Sequence, residues 1–153
     1  MDMMDTYLRD SGVTSAVVDF GGSILTIGDN NGESWNITIT ADETNSPVGT
    51  LKVNEGYIAT SNGAKRFVEY DGVKYHHIID PDTSYPADSG VKSCTVYSES
   101  GLISDALSTA FFVMGADKTA EFYSKYNIAE YIITLTDGTI ITSDGIAADF
   151  TAS

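Results

Sequence analysis

An aspartate and a threonine four residues apart, Asp105 and Thr109, with Ser108 beside them, are the residues of this 153-residue chain best suited to chemistry. In a helix that spacing puts Asp105 and Thr109 on one face. One carboxylate and two hydroxyls make a hard, oxygen-only ligand set. Mg²⁺ prefers such ligands and keeps water or phosphate oxygens in its remaining positions. A plainer reading stands beside this one: an aspartate in a first helical turn complements the helix dipole, and a threonine one turn on bonds backbone. Upstream, His76 and His77 precede Ile78-Ile79-Asp80-Pro81. Adjacent strand residues point to opposite faces, so one imidazole is expected inward and functional and the other solvated. An imidazole suits proton transfer near neutrality. Asp80-Pro81 initiates a turn, and Asp80 is expected either to order that loop or to act directly. A transition-metal site from His76, His77 and Asp80 is disfavoured, because the histidines diverge and the chain has no third histidine.

Apolar periodicity supplies the elements that must position these groups. Helix is expected over roughly Asp2 to Ser11. Strands are expected at Ser15–Phe20, Ser23–Ile27, Trp35–Thr40, Gly49–Val53 and Tyr57–Thr60, with a loop of turn residues from Asp42 to Pro47. Asp71-Gly72 predicts a hairpin joining Lys65–Tyr70 to Val73–Ile79. A loop over Asp80–Gly90 leads to a strand at Val91–Tyr97. Ser104 is a plausible N-cap for a helix ending near Gly115, with Ile103, Leu107, Ala110, Phe111 and Met114 as its apolar stripe. A second helix follows near Asp117–Tyr126. A closing hairpin, Tyr131–Thr136 and Thr139–Thr142, turns at Asp137-Gly138. The sum is α+β: a largely antiparallel sheet with segregated helices, in a single domain over residues 1–153.

Composition excludes some partners. Eight basic residues against 22 acidic give a net charge of −14, which argues against nucleic acid, whose phosphates need compensating Lys and Arg. The acidity reads as a solvated surface. No apolar run approaches the roughly 20 residues of a membrane span. Cys94, the one cysteine, has no intrachain disulfide partner and is expected as a buried thiol within an apolar strand. Met1-Asp2-Met3-Met4-Asp5 lacks a basic region, an apolar region and a lipobox cysteine, so it is expected to open a helix rather than act as a signal peptide.

Together, His77-Ile78-Ile79-Asp80-Pro81-Asp82-Thr83-Ser84-Tyr85-Pro86 and Asp105-Ala106-Leu107-Ser108-Thr109-Ala110 resemble motifs of the ApbE family, the FAD:protein FMN transferases. Val13 to Ile24 looks like the family's glycine-pair segment, and Ala59-Thr60-Ser61-Asn62-Gly63 is similar to its Thr-Ser-Gly stretch. The resemblance implies an ApbE-like α+β fold lacking the family's N-terminal portion. It implies that Asp105, Thr109 and Ser108 ligate Mg²⁺, Ser108 standing at a position that is sometimes a carboxylate. It implies that His77 activates the acceptor hydroxyl or assists transfer, and that Ile79 contacts FAD. Lys65 and Arg66 are candidates to meet phosphate, a surface charge being the plainer role. Family members carry Thr-Gly-Tyr-Pro or Thr-Gly-Arg-Pro where this chain has Thr83-Ser84-Tyr85-Pro86. If that glycine uses positive φ, Ser84 carries a strain cost.

ApbE-type enzymes transfer FMN from FAD onto a Thr or Ser hydroxyl of a target protein and release AMP; some relatives hydrolyse FAD instead. Full-length relatives are usually exported, membrane-anchored lipoproteins. Their upstream segment resembling Ile-Ala-Lys-Gly-Tyr-Ala supplies a metal-binding carbonyl and a lysine near FAD, and has no counterpart between Met1 and Gly12. Two expectations follow. The chain is the C-terminal part of a flavin transferase that acts together with an N-terminal part. Alternatively, it is a non-catalytic ApbE-like module that self-associates as a homodimer and binds no flavin.

Overall fold

The computed structural model describes residues 1–41, 46–64 and 66–153. Lys65 and most of the loop expected from Asp42 lie outside the described residues. The chain runs α1 (Asp2–Asp10), β1 (Ala16–Asp19), β2 (Ser23–Ile27), β3 (Trp35–Thr40), β4 (Pro47–Val53), β5 (Gly56–Asn62), β6 (Phe67–Tyr70), β7 (Val73–His76), β8 (Val91–Ser98), α2 (Gly101–Tyr126), β9 (Glu130–Leu135), β10 (Ile140–Thr142) and β11 (Phe150–Ala152). A six-stranded sheet has the order β1-β2-β5-β8-β9-β10; a three-stranded sheet has β11-β4-β3; β6 and β7 form a separate ribbon. Every strand pair is antiparallel. The α+β class and the segregated helices are therefore as the sequence predicts. Strand β11 escaped the periodicity reading: unlike the equally short β10 it has no adjoining turn signal to mark a hairpin, and it pairs with the distant β4.

Alternation along the central strands splits the core between two faces. Cys94 and Val96 of β8, with Tyr131 and Ile133 of β9, pack with Phe111 and Phe112 of α2. Ile58 of β5 and Ile132 of β9 point the other way, onto Ile37, Ile39, Leu51 and Val53 of the small sheet. Leu25, Ile27 and Tyr57 carry α1 through Met1 and Leu8. The large sheet is thus the middle layer. Cys94 is fully buried, and desolvation pushes its thiol pKa up, as expected of an inert core cysteine.

Helix α2 differs from its sequence reading in two ways. Its N-cap is Ser100, with extended backbone and a side chain that accepts from the Ile103 N–H. Ser104 is instead fully buried, its hydroxyl 2.9 Å from Tyr57 O and 2.9 Å from Ser98 Oγ. Three serines at 98, 100 and 104 all satisfy local capping rules, and only contact with the sheet separates them. The buried stripe is Gly101, Ser104, Ser108, Phe111, Phe112, Gly115 and Thr119. Ile103, Leu107 and Met114 are half-buried flanks. Small residues at the centre let the helix sit close to the strands. The two helices expected on either side of Gly115 form one element broken at that residue, whose φ of 80° and ψ of 173° are not helical. A side chain there would carry backbone strain and meet Ser89 O at 3.3 Å.

Helix α1 is tied down by polar contacts. The Asp2 carboxylate accepts from Gly101 N at 3.0 Å and from the Ser100 hydroxyl at 3.2 Å, so α1 helps cap α2. Tyr57 donates to Asp5 at 2.8 Å, and Arg9 bonds Asp5 at 2.7 Å. Burial disfavours the charged form of Asp2, but hydrogen bonds from its own backbone, from Gly101 N–H and from the Ser100 hydroxyl outweigh it and hold its pKa below the ordinary value.

Two outcomes follow. Phe111→Ala removes the largest fully buried side chain and is expected to cost about 3–5 kcal/mol in urea unfolding. A carboxylate whose folded pKa is depressed stabilises above its unfolded pKa, and loses that contribution as pH falls through the folded value. Wild type is therefore expected to lose stability more steeply than Asp2→Asn below roughly pH 4, read as unfolding midpoint against pH. At neutral pH, Asp2→Ala is expected to cost about 0.5–1 kcal/mol, as for loss of a helix cap.

Candidate functional site

Five separate segments converge on one open cleft of about 240 Å³. The β1–β2 turn contributes Gly21, Gly22 and Ser23; the end of β5 contributes Thr60, Ser61 and Asn62; Arg66 and His77 flank the ribbon; and α2 contributes Asp105 and Thr109. Gly21 and Gly22 both have positive φ, and space around them is open, so the backbone itself forms this wall of the cleft. Asp19 fixes the turn by accepting from Gly21 N at 2.7 Å. The same glycine pair and Thr60 also line an adjoining trough of about 380 Å³ that runs toward Thr38 and Thr40 of β3.

His77 enters the cleft with a defined tautomer. Strand β7 ends at His76, earlier than the expected Ile79, because Ile78 turns into the core. The Nδ1 of His77 lies 3.2 Å from Arg66 O, and the His77 backbone N–H donates to the same carbonyl at 3.1 Å. A carbonyl only accepts, so Nδ1 carries the proton of the neutral ring and Nε2 keeps its lone pair. His76 faces the other way, as alternation predicts. Its Nε2 lies 3.1 Å from Ala87 O, its Nδ1 accepts from Ile78 N at 3.3 Å, and its ring meets Phe112 edge-on. Both of its nitrogens are used structurally, so the inward imidazole, expected to be the functional one, is a packing residue, and it is the exposed His77 that lines the cleft.

Asp105 and Thr109 are exposed on the same face of α2. Ser108 is 1% exposed and lies behind them. It donates to Asp105 O at 3.0 Å and lies 2.9 Å from Ser61 Oγ, which in turn is 3.0 Å from Thr109 Oγ1. Ile79, 48% exposed, is outside the residues that line the cleft. Asp80 orders its own loop: its carboxylate accepts from Asp82 N at 2.9 Å, its carbonyl from Ser84 N at 2.8 Å, and its N–H donates to Tyr85 O at 2.8 Å. Ser84 sits at φ 61°, the positive value that makes a non-glycine residue costly there.

Among the described residues no group of three or more His, Cys, Asp or Glu could hold a metal ion. One carboxylate and one hydroxyl, open to solvent, fit a hard cation that completes its shell with water and phosphate oxygens. Arg66 supplies a positive side chain to the same cleft. Sequence reasoning gave Ser61 no role of its own; its signal was membership of the stretch similar to the family's Thr-Ser-Gly segment.

Comparison with known proteins gives a consistent picture. The family model described as the ApbE family matches residues 1–133. The chain is 31% identical over 156 residues to the FAD:protein FMN transferase of Treponema pallidum, covering 95% of this chain and 43% of that protein. It is 31% identical over 151 residues to the Haemophilus influenzae protein of the same name, covering 96% and 44%. Its fold is similar to the crystal structure of the ApbE protein from Thermotoga maritima, with TM-score 0.78 and 35% identity, over 88% of this chain and 44% of that one. It is also similar to the flavin transferase ApbE from Vibrio cholerae, with TM-score 0.78 and 30% identity, over 97% and 48%. The chain spans a little under half the length of these relatives. With fold, motifs and family model in agreement, the chain belongs to the ApbE family.

Proposed function

We propose that this chain carries the phosphoryl-transfer half of a flavin transferase site, one that moves FMN from FAD onto a Thr or Ser hydroxyl of an acceptor protein. The observation that carries the reading is the meeting of His77, Arg66, Asp105 and Thr109 around one glycine-walled cleft. Asp105 and Thr109 are the ligands assigned to Mg²⁺, with Ser108 supporting them from behind. A bound Mg²⁺ would neutralise charge on the pyrophosphate and the leaving phosphate. Ile79, on the loop that follows His77, is the assigned contact to the flavin substrate.

The chain's own residues then have separate tasks. Gly21 and Gly22 allow close approach of a phosphate to backbone. Arg66 attracts its negative charge. In the neutral ring Nδ1–H donates to Arg66 O, so Nε2 is the nitrogen with the lone pair, and it takes the proton of the acceptor hydroxyl. The hydroxyl oxygen bonds to the FMN phosphorus, the bond from that phosphorus to the bridging oxygen breaks, and AMP leaves with that oxygen. Cys94 is buried away from this chemistry, so the nucleophile belongs to the acceptor.

The test is incubation of the chain with FAD, Mg²⁺ and a Thr-containing acceptor peptide, with AMP release and the FMN mass gain on the peptide as readouts. Asp105→Ala is expected to abolish the Mg²⁺-dependent reaction. His77→Gln is expected to slow it by roughly 10²–10⁴-fold while leaving thermal stability unchanged. Transfer that survives both substitutions would sink the proposal. A second reading, a self-associating module without flavin, predicts dimer in sedimentation and no flavin binding at millimolar FAD.

A further inference from the structure

We propose that Ser61 is a positioning residue that holds the Thr109 hydroxyl with its lone pairs toward the cleft, through a directed chain of three hydroxyls. The proposal rests on the reading of Asp105 and Thr109 as a cation site, and its test is arranged to separate the two.

The argument is a count of protons. Each hydroxyl has one proton to give and lone pairs with which to accept. Ser108 Oγ donates to Asp105 O at 3.0 Å, a carbonyl of its own helix. Its proton is then spent, so the 2.9 Å contact with Ser61 runs from Ser61 to Ser108. Ser61 is left as an acceptor for Thr109, 3.0 Å away. The alternative acceptor for Thr109, Asp105 O, is at the 3.5 Å limit. With its proton directed at Ser61, Thr109 keeps its lone pairs free for a cation in the cleft that both residues line. A neutral hydroxyl binds a cation only with its proton turned away. Without Ser61 the proton is free to rotate toward the cation's place.

The arrangement joins α2 to β5, so a mere packing peg must be told apart from orientation. A peg affects stability alone; an orienting acceptor affects cation affinity at constant fold. Loss of a group that orients a ligand typically costs about 10–100-fold in metal affinity.

The experiment titrates the whole chain with Mn²⁺ alone and follows paramagnetic broadening of its backbone amide resonances. Wild type is expected to show broadening centred on the amides from Asp105 to Thr109, lost in Asp105→Ala. Ser61→Ala is expected to weaken Mn²⁺ binding by roughly 10-fold, and Ser61→Thr, which keeps the hydroxyl, to restore it. Ser108→Ala gives an independent test that leaves Ser61 in place: the Ser61 proton loses its acceptor and turns to Thr109, reversing that bond, and affinity is expected to fall as well. Wild-type affinity in Ser61→Ala or Ser108→Ala, with binding lost in Asp105→Ala, overturns the proposal while the cation site stands. Absence of broadening near α2 in wild type overturns both. Amide shifts away from β5 and α2 report whether each variant is folded.

Discussion

The close seating of α2 on the large sheet is the constraint from which the rest of the structure follows. The centre of that contact is made of glycine and hydroxyl residues rather than large apolar ones: Gly101, Ser104, Ser108 and Thr119 are all buried. Buried hydroxyls are tolerable only when paired, and these are. Ser104 meets the Tyr57 carbonyl and Ser98, Ser108 meets Ser61, and Thr119 donates to Gly115 O at 2.7 Å. Directed bonds have a defined geometry that an oily interface lacks. They set both the rotation of the helix and its position along β5. Phe111 and Phe112 then supply the apolar area that stabilises the contact.

Rotation of α2 decides what faces the cleft. With Ser104 and Ser108 on the sheet, Asp105 and Thr109 must emerge on one flank, while Ile103, Leu107 and Met114 occupy the other. The first flank opens at the ends of β2 and β5, where the Gly21-Gly22 turn leaves backbone exposed. The second covers the β8–β9 side. At the break Gly115 adopts a backbone that only glycine reaches cheaply, and beyond it Phe122 and Tyr123 still pack against the same core. The same hydroxyls that seat the helix also reach into the site, so positioning and candidate chemistry share atoms at Ser61.

The second half of the cleft has its own logic. Arg66 and His77 lie on neighbouring segments at the base of the β6–β7 ribbon, and the Arg66 carbonyl receives both the backbone and the ring N–H of His77. One backbone atom therefore orients the imidazole and selects its tautomer. The loop after His77 is held by Asp80 and carries positive φ at Ser84, a local strain maintained by the surrounding hydrogen bonds. His76, one residue away, is committed to structure. Two identical side chains thus differ in role through the pleat of a strand.

The sequence by itself determined what depends on near neighbours. Period-two and helical apolar patterns gave the class and most elements, Asp71-Gly72 and Asp137-Gly138 gave hairpins, and the spacing of Asp105 and Thr109 placed them together on a helix face. The divergence of His76 and His77 was equally legible, since pleating is local. Tertiary structure alone decided which of Ser98, Ser100 and Ser104 caps α2, because all three fit local rules and only the sheet consumes one of them. It decided that the buried stripe of α2 is small and hydroxylated, because burial of a serine depends on a partner far away in the chain. It decided β11, whose three residues gain strand structure from pairing with β4. Above all it decided that Ser61 meets Ser108 and Thr109, residues 47 and 48 positions later: a hydrogen bond across that separation exists only after the chain has folded.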